Sequence, residues 1–65
     1  MKITYFQDTD TLCIEFRASA AAETREFDEN TLIDVDTQGH LCGITLEHAR
    51  DRVDIPHVMF EQVAA

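Results

Sequence analysis

Apolar and polar residues alternate in the first quarter of the chain as they do in paired β-strands. Residues 3–6 are rich in β-forming side chains, and Leu12, Ile14 and Phe16 alternate with their neighbours. Residues 7–11, which lie between these two runs, are mostly short polar side chains that favour a turn. The pattern predicts a β-hairpin, and the alanine-rich residues 18–22 are predicted to form a connecting loop.

A second hairpin is predicted over residues 31–46. Its two strand-like runs flank a turn in which Gly39 can supply the positive φ of a type I turn with a bulge. Residues 24–28, a polar segment with one aromatic residue, suggest a short edge strand before this hairpin. The predicted core residues of the second hairpin share strand faces and are Ile33, Val35, Cys42, Ile44 and Leu46.

Near Leu46 the apolar spacing changes from that of a strand to that of a helix. Leu46, Ala49, Arg50 and Val53 recur at helical spacing, and Pro56 ends the run because proline disfavours helical backbone in the preceding residue. Proline also suits the first turn of a helix, so residues 57–64 are predicted to form another. The predicted fold class is therefore α+β: an antiparallel sheet of four to five strands from two hairpins, with a C-terminal helical segment, in one domain over residues 1–65.

The residues of the two hairpins resemble those of a bacterial family called domain of unknown function 2283. The matching residues are Met1-Lys2-Ile3-Thr4-Tyr5, Asp10-Thr11-Leu12-Cys13-Ile14, Asp34-Val35-Asp36, Gly39, Leu41, Gly43-Ile44, Leu46-Glu47 and Ala49. Phe6 stands where that family usually has an aspartate, and Cys13 where it usually has a tyrosine. The resemblance covers residues 1–52 and leaves residues 53–65 as an additional tail. It implies a small sheet with a helix, no assigned activity, and an accessory or antitoxin-like role.

The length of 65 residues limits how much apolar surface one copy can bury. A chain of this size buries only about 60% of its unfolded surface, so a monomeric core is marginal. We therefore expect a homo-oligomer, a dimer or larger. The expected contact residues are the apolar side chains of the tail, Met59, Phe60 and Val63.

The net charge of −8 argues against a nucleic-acid surface and favours a basic protein partner. No apolar run approaches the roughly 20 residues of a membrane span, and no secretory signal is expected. With only two cysteines, Cys13 and Cys42, we expect a cytoplasmic protein. Two reduced thiols acting as small apolar side chains are favoured, and a single cross-strand disulfide is the alternative.

Residues 34–39 partly match a calcium-binding loop. Asp34, Asp36 and Gly39 fit the first, third and sixth positions, but Gln38 stands at the fifth position and Thr45 at the twelfth, where a bidentate glutamate is required. A turn capped by Asp36, with Gly39 in left-handed geometry, is favoured. Asp34 and Asp36 are also expected on one strand face about 7 Å apart, where solvent explains them better than a catalytic pair.

The histidines His40, His48 and His57 have no metal-ligand spacing and are expected at the surface. No catalytic, metal or cofactor site is predicted. The sequence predicts a homo-oligomeric protein-interaction or accessory module, with a small metal-binding protein or enzyme using surface acids and histidines as the alternative. The candidate interaction residues are Asp34, Asp36, His40, Glu47 and His48.

Overall fold

Five short strands form one antiparallel sheet in the computed structural model, which describes residues 1–64. They are β1 (Lys2–Phe6), β2 (Thr11–Glu15), β3 (Glu23–Asp28), β4 (Thr31–Val35) and β5 (Leu41–Glu47). The strand order is β1-β2-β5-β4-β3, so β1 and β3 are the edges. Both predicted hairpins and the predicted edge strand are confirmed.

The two hairpins join through pairing of β2 with β5. Leu12 lies opposite Leu46, and Ile14 lies opposite Ile44. The sheet therefore carries large aliphatic side chains at its centre, where β-branched and leucine residues pack well across neighbouring strands. A register shift between Asp34 and Val35 interrupts the pairing of β4 with β5.

The turn between β4 and β5 has the predicted chemistry. Gly39 has φ +82°, in the left-handed region that favours glycine. One carboxylate oxygen of Asp36 accepts hydrogen bonds from the backbone N–H groups of Gln38 and His40, both at 2.9 Å. The turn interpretation of residues 34–39 is therefore confirmed.

The core is thin. The buried residues are Leu12, Thr31, Val35, Cys42, Gly43 and Ala49. Ile33, Ile44 and Leu46, which were predicted as core, are only half-buried, because no second layer of secondary structure lies on the sheet within residues 1–64. The smallest dimension of the molecule is accordingly 18 Å, against 37 and 32 Å for the others.

The predicted C-terminal helical segment is wrong, and so is the α+β class: the described residues form an all-β fold with one short 3-10 turn, Ala49–Asp51. His48 has left-handed backbone geometry (φ 54°, ψ 46°), which ends β5 sharply. The N–H groups of Ala49 and Arg50 then bond to Asp10 in the β1–β2 turn. These contacts hold the segment against the sheet and limit it to one turn.

Residues 57–64 contain no regular secondary structure. A helix over this range would be shorter than the roughly 12–15 residues at which isolated helices become marginal in water. Its predicted apolar side would also need a surface of the same chain to pack on. In the structure, Met59, Phe60 and Val63 are 86%, 81% and 78% exposed.

Candidate functional site

One face of the sheet is almost entirely apolar. Residues directly opposite each other on neighbouring strands share a face, so the register assigns its members. The register also places Thr31 and Arg25 on this side of the sheet, opposite Leu46 and Ile33. We name its apolar residues the apolar face; they are Ile3, Tyr5, Leu12, Ile14, Ile33, Ile44 and Leu46. It spans four of the five strands, and Ile3 at the β1 edge is 41% exposed.

The chain after the 3-10 turn covers only part of the apolar face. Residues 53–59 lie over the β1–β2 half, and between them and the side chains of Ile3, Leu12 and Ile14 is a cleft of about 530 Å³. Ile55 is half-buried there. The half formed by β4 and β5 has no such cover within the described residues.

A cluster of Tyr5, Asp10 and Arg50 positions the start of this covering segment. The Tyr5 hydroxyl donates to the Asp10 carboxylate at 2.7 Å, and the same carboxylate oxygen accepts the Arg50 backbone N–H at 3.1 Å. The Arg50 guanidinium lies 5.9 Å from the centre of the Tyr5 ring, within cation–π range. The hydrogen bond with Tyr5 holds the pKa of Asp10 below its ordinary value and raises the pKa of Tyr5.

Arg52 fastens the same segment to the β3–β4 turn. One guanidinium nitrogen donates to the backbone carbonyls of Asn30 at 2.7 Å and Glu47 at 3.3 Å. The other donates to the buried Thr31 hydroxyl at 2.6 Å. These three bonds fix where the chain turns onto the apolar face, because the planar guanidinium presents its donors in one rigid fork.

The opposite face of the sheet, which we name the outer face, is polar. By the same register it carries Lys2, Thr4, Phe6, Thr11, Cys13, Glu15, Thr24, Glu26, Leu32, Asp34, Thr45 and Glu47. The Thr24 hydroxyl donates to the Asp34 carboxylate at 2.6 Å across β3 and β4. Four carboxylates and one lysine give this face a negative balance.

The five candidate interaction residues do not form one cluster. Asp34 and Glu47 lie on the outer face, whereas Asp36 and His40 lie in the β4–β5 turn and His48 follows the other end of β5. The expected pairing of Asp34 with Asp36 on one strand face is not found, because β4 ends at Val35 and Asp36 already belongs to the turn.

Asp36 makes several contacts in its turn. Besides the two backbone N–H groups, it lies 3.3 Å from His40 Nδ1 and 3.8 Å from the Arg17 guanidinium, with its side chain 15% exposed. The backbone hydrogen bond from His40 holds the pKa of Asp36 below its ordinary value. Its role in the structure is to organise the turn.

The histidines and cysteines are also separated. His40, His48 and His57 are exposed, as predicted, and within residues 1–64 no group of three or more histidine, cysteine or acidic side chains could hold a metal ion. Cys13 and Cys42 are free thiols, and the Cys42 thiol donates to the Asp34 carbonyl at 3.3 Å. The favoured interpretation of two reduced cysteines is confirmed.

Sequence reasoning missed Tyr5, Arg50 and Arg52. Their partners lie far along the chain: Arg50 bonds to Asp10, and Arg52 bonds to Asn30 and Thr31. The only local signal was the expectation that Arg50 belonged to a helix, which assigned it a different role. Within the described residues, no helix is long and apolar enough to cross a membrane.

The sheet and the start of the 3-10 turn are the parts of the chain that a known family shares. A family model described as "Protein of unknown function (DUF2283)" matches residues 2–50. The chain belongs to the DUF2283 family. No curated protein and no solved structure matches it. The family match includes all five strands and ends before the segment that covers the β1–β2 half of the apolar face.

Proposed function

We propose that this DUF2283 protein is a homo-oligomeric protein-interaction module whose apolar face is the contact between copies. A dimer is the simplest form, since a two-fold contact brings the same face of both copies together. The uncovered β4–β5 halves of two such faces can pack about 10 Å apart, the spacing of stacked sheets, and supply each other with the second layer that one copy lacks.

The observation that carries this proposal is the excess of accessible surface. One copy exposes 5277 Å². A compact monomer of 7.4 kDa exposes about 4200 Å². The difference, on the order of 1000 Å² over the sheet and the extended tail together, is close to the roughly 800 Å² that each partner buries in a standard interface.

The distribution of charge supports the same surface. Copies that each carry a net charge of −8 repel one another, so a contact is favoured where acidic residues are fewest. The seven residues of the apolar face include no carboxylate. At the β3 edge, Arg25 and Glu23 neutralise each other at 3.1 Å.

Two neighbouring residues of β4 provide a matched test. Ile33 and Leu32 are both half-buried, but Ile33 lies on the apolar face and Leu32 on the outer face. We expect Ile33→Thr to raise the dissociation constant of the dimer at least about tenfold in sedimentation equilibrium, because burying an aliphatic side chain is worth roughly 1.5–3 kcal/mol. Leu32→Thr should leave it unchanged. A monomeric wild-type protein at micromolar concentration would refute the proposal.

The outer face is left for a second protein, and we propose a basic one, in an accessory or antitoxin-like role. Glu15, Glu26, Asp34 and Glu47 are spread over four strands of this face, with Lys2 at its edge. Such a field steers a basic partner toward the sheet and weakens with added salt.

Purification of the tagged protein together with its genomic neighbours tests the second contact. We expect a basic neighbour to co-elute at low salt and to separate at high salt. The double variant Glu15→Gln and Glu26→Gln should release it at lower salt, whereas Glu61→Gln in the tail should not. Failure of every neighbour to co-elute would rule out this partner while leaving the dimer untouched.

A further inference from the structure

The dimer proposed above leaves one feature unexplained, which is the exposed end of the chain. Past Pro56 the chain carries four large apolar side chains in the short stretch 58–63. Val58, Met59, Phe60 and Val63 are 70%, 86%, 81% and 78% exposed. A solvent-exposed run of this kind usually marks a contact surface.

We infer that residues 60–63 of one copy, which follow the cleft wall, pack into the cleft of a second copy, so that the ends of the tails are exchanged across the dimer. This inference rests on the proposed function, because it assigns a role to the tail within that same contact. Its occupant is the tail of an identical chain, and each dimer contains two such contacts.

The area of the sheet face supports an added contact. Five strands about 4.8 Å apart, each about five residues long at 3.4 Å per residue, give a face of roughly 300–400 Å². A standard interface needs roughly 800 Å² from each partner. Two packed sheet faces therefore provide about half of the required area, and one aromatic side chain such as Phe60 adds about 150–250 Å².

The cleft has the size and lining to receive such side chains. Its volume of about 530 Å³ falls within the roughly 300–1,000 Å³ of sites that hold small apolar groups. Ile3, Leu12 and Ile14 form its floor. The tail of the same chain does not fill it, because residues 53–59 form one wall and the following side chains turn to solvent.

The charge of the tail points to the same occupant. Residues 57–64 contain one carboxylate, Glu61, whereas the whole chain carries thirteen acidic residues. The tail can therefore approach a second acidic copy with little repulsion. Seven extended residues reach about 23 Å, which is more than the smallest dimension of the molecule, 18 Å.

An isotope-filtered NOE experiment on the full-length protein tests the exchange directly. Equal amounts of ¹³C-labelled and unlabelled chains are mixed, and contacts are recorded only between copies. We expect contacts from the Phe60 ring and the Val63 methyl groups to the Ile3 and Ile14 methyl groups of the other copy. A dimer in which these contacts occur only within one copy, or are absent, overturns the exchange.

A pair of tail variants gives an independent measurement. Phe60→Ser should raise the dimer dissociation constant at least about tenfold in sedimentation equilibrium. Gln62→Ser, in the same exposed stretch, should leave it unchanged. Circular dichroism should show the same sheet signal for both variants, because Phe60 lies outside every strand. Dimers of equal strength in Phe60→Ser and wild type overturn the inference, whereas a monomeric wild type overturns the proposed function itself.

Discussion

At the scale of single residues, Gly39 is the position where the backbone most requires glycine. Its φ of +82° is costly for any side chain with a Cβ atom, yet a Cβ there would meet nothing within 4 Å. We therefore expect Gly39→Ala to cost about 1 kcal/mol through backbone conformation alone. In urea unfolding at one fixed protein concentration, the neighbouring Gln38→Ala should change stability by less than about 0.5 kcal/mol. Equal stability of Gly39→Ala and wild type would contradict this assignment.

Asp36 makes the free energy of unfolding depend on pH. Backbone hydrogen bonds, first from His40 and also from Gln38, hold its folded-state pKa below the ordinary value of 3.8. A carboxyl whose pKa falls on folding stabilises the fold above its ordinary pKa and loses that contribution as pH falls through the folded value. Asp10 and Asp28 shift in the same direction, through hydrogen bonds from Tyr5 and from the Asn30 backbone.

We therefore expect the free energy of unfolding to decrease below about pH 4, measured by urea unfolding at a series of pH values. Asp36→Asn retains one side-chain oxygen that can accept a hydrogen bond but does not titrate, so its decrease should be shallower than that of wild type. Glu29→Gln, at an exposed position in the β3–β4 turn, is the control and should follow the wild-type curve. Identical pH dependence in Asp36→Asn and wild type would contradict the role of this carboxylate.

The residues that sequence reasoning placed correctly are those whose partners are local. Asp36 and Gly39 act within one turn, so their chemistry could be predicted from neighbouring residues. Arg50 and Arg52 act on groups contributed by other turns of the sheet, at Asp10 and Asn30. No local pattern encodes such contacts, because they exist only after the strands have paired.

At the scale of elements, the strands were predictable and the helix was not. β-Forming side chains identified β1, and alternation with period two identified β2, β4 and β5. The spacing of Leu46, Ala49 and Val53 fits a helix, and it fits equally well the end of a strand followed by a tight turn. The hydrogen bonds to Asp10 decide between them, and they come from the opposite half of the chain.

Arg52 connects the 3-10 turn to two other parts of the sheet, and replacing it tests how much this connection contributes to stability. Its three hydrogen bonds join the 3-10 turn to the β3–β4 turn and to the end of β5. Arg52→Lys keeps the charge but loses the fork, so we expect a loss of about 1–2 kcal/mol and a lower thermal midpoint. Arg25→Lys, in an exposed pair at the β3 edge, should cost less than about 0.5 kcal/mol. Equal thermal midpoints for the two variants would show that the Arg52 hydrogen bonds do not stabilise the fold.

For the whole molecule, the small core expected from the chain length and the exposed sheet faces have the same cause: a single sheet buries little apolar surface. Residues 1–64 contain one sheet with both faces exposed, and among them the buried apolar side chains are Leu12, Val35, Cys42 and Ala49. The chain length predicts that one copy buries little apolar surface. It cannot predict which surface is left open, because that depends on the register that places seven apolar side chains on one face.

If that face is completed by a second copy, folding and association are coupled, and the thermal midpoint must rise with protein concentration. A tenfold increase in concentration adds about 1.4 kcal/mol to the stability of a dimer, which corresponds to a shift of about 5 °C for two chains of this length. Calorimetry over a hundredfold range of concentration measures the shift. Leu32→Thr should show the same dependence as wild type, whereas the midpoint of Ile33→Thr should lie below that of wild type at every concentration. A wild-type midpoint that does not move with concentration would mean that the sheet is stable with its apolar face in water.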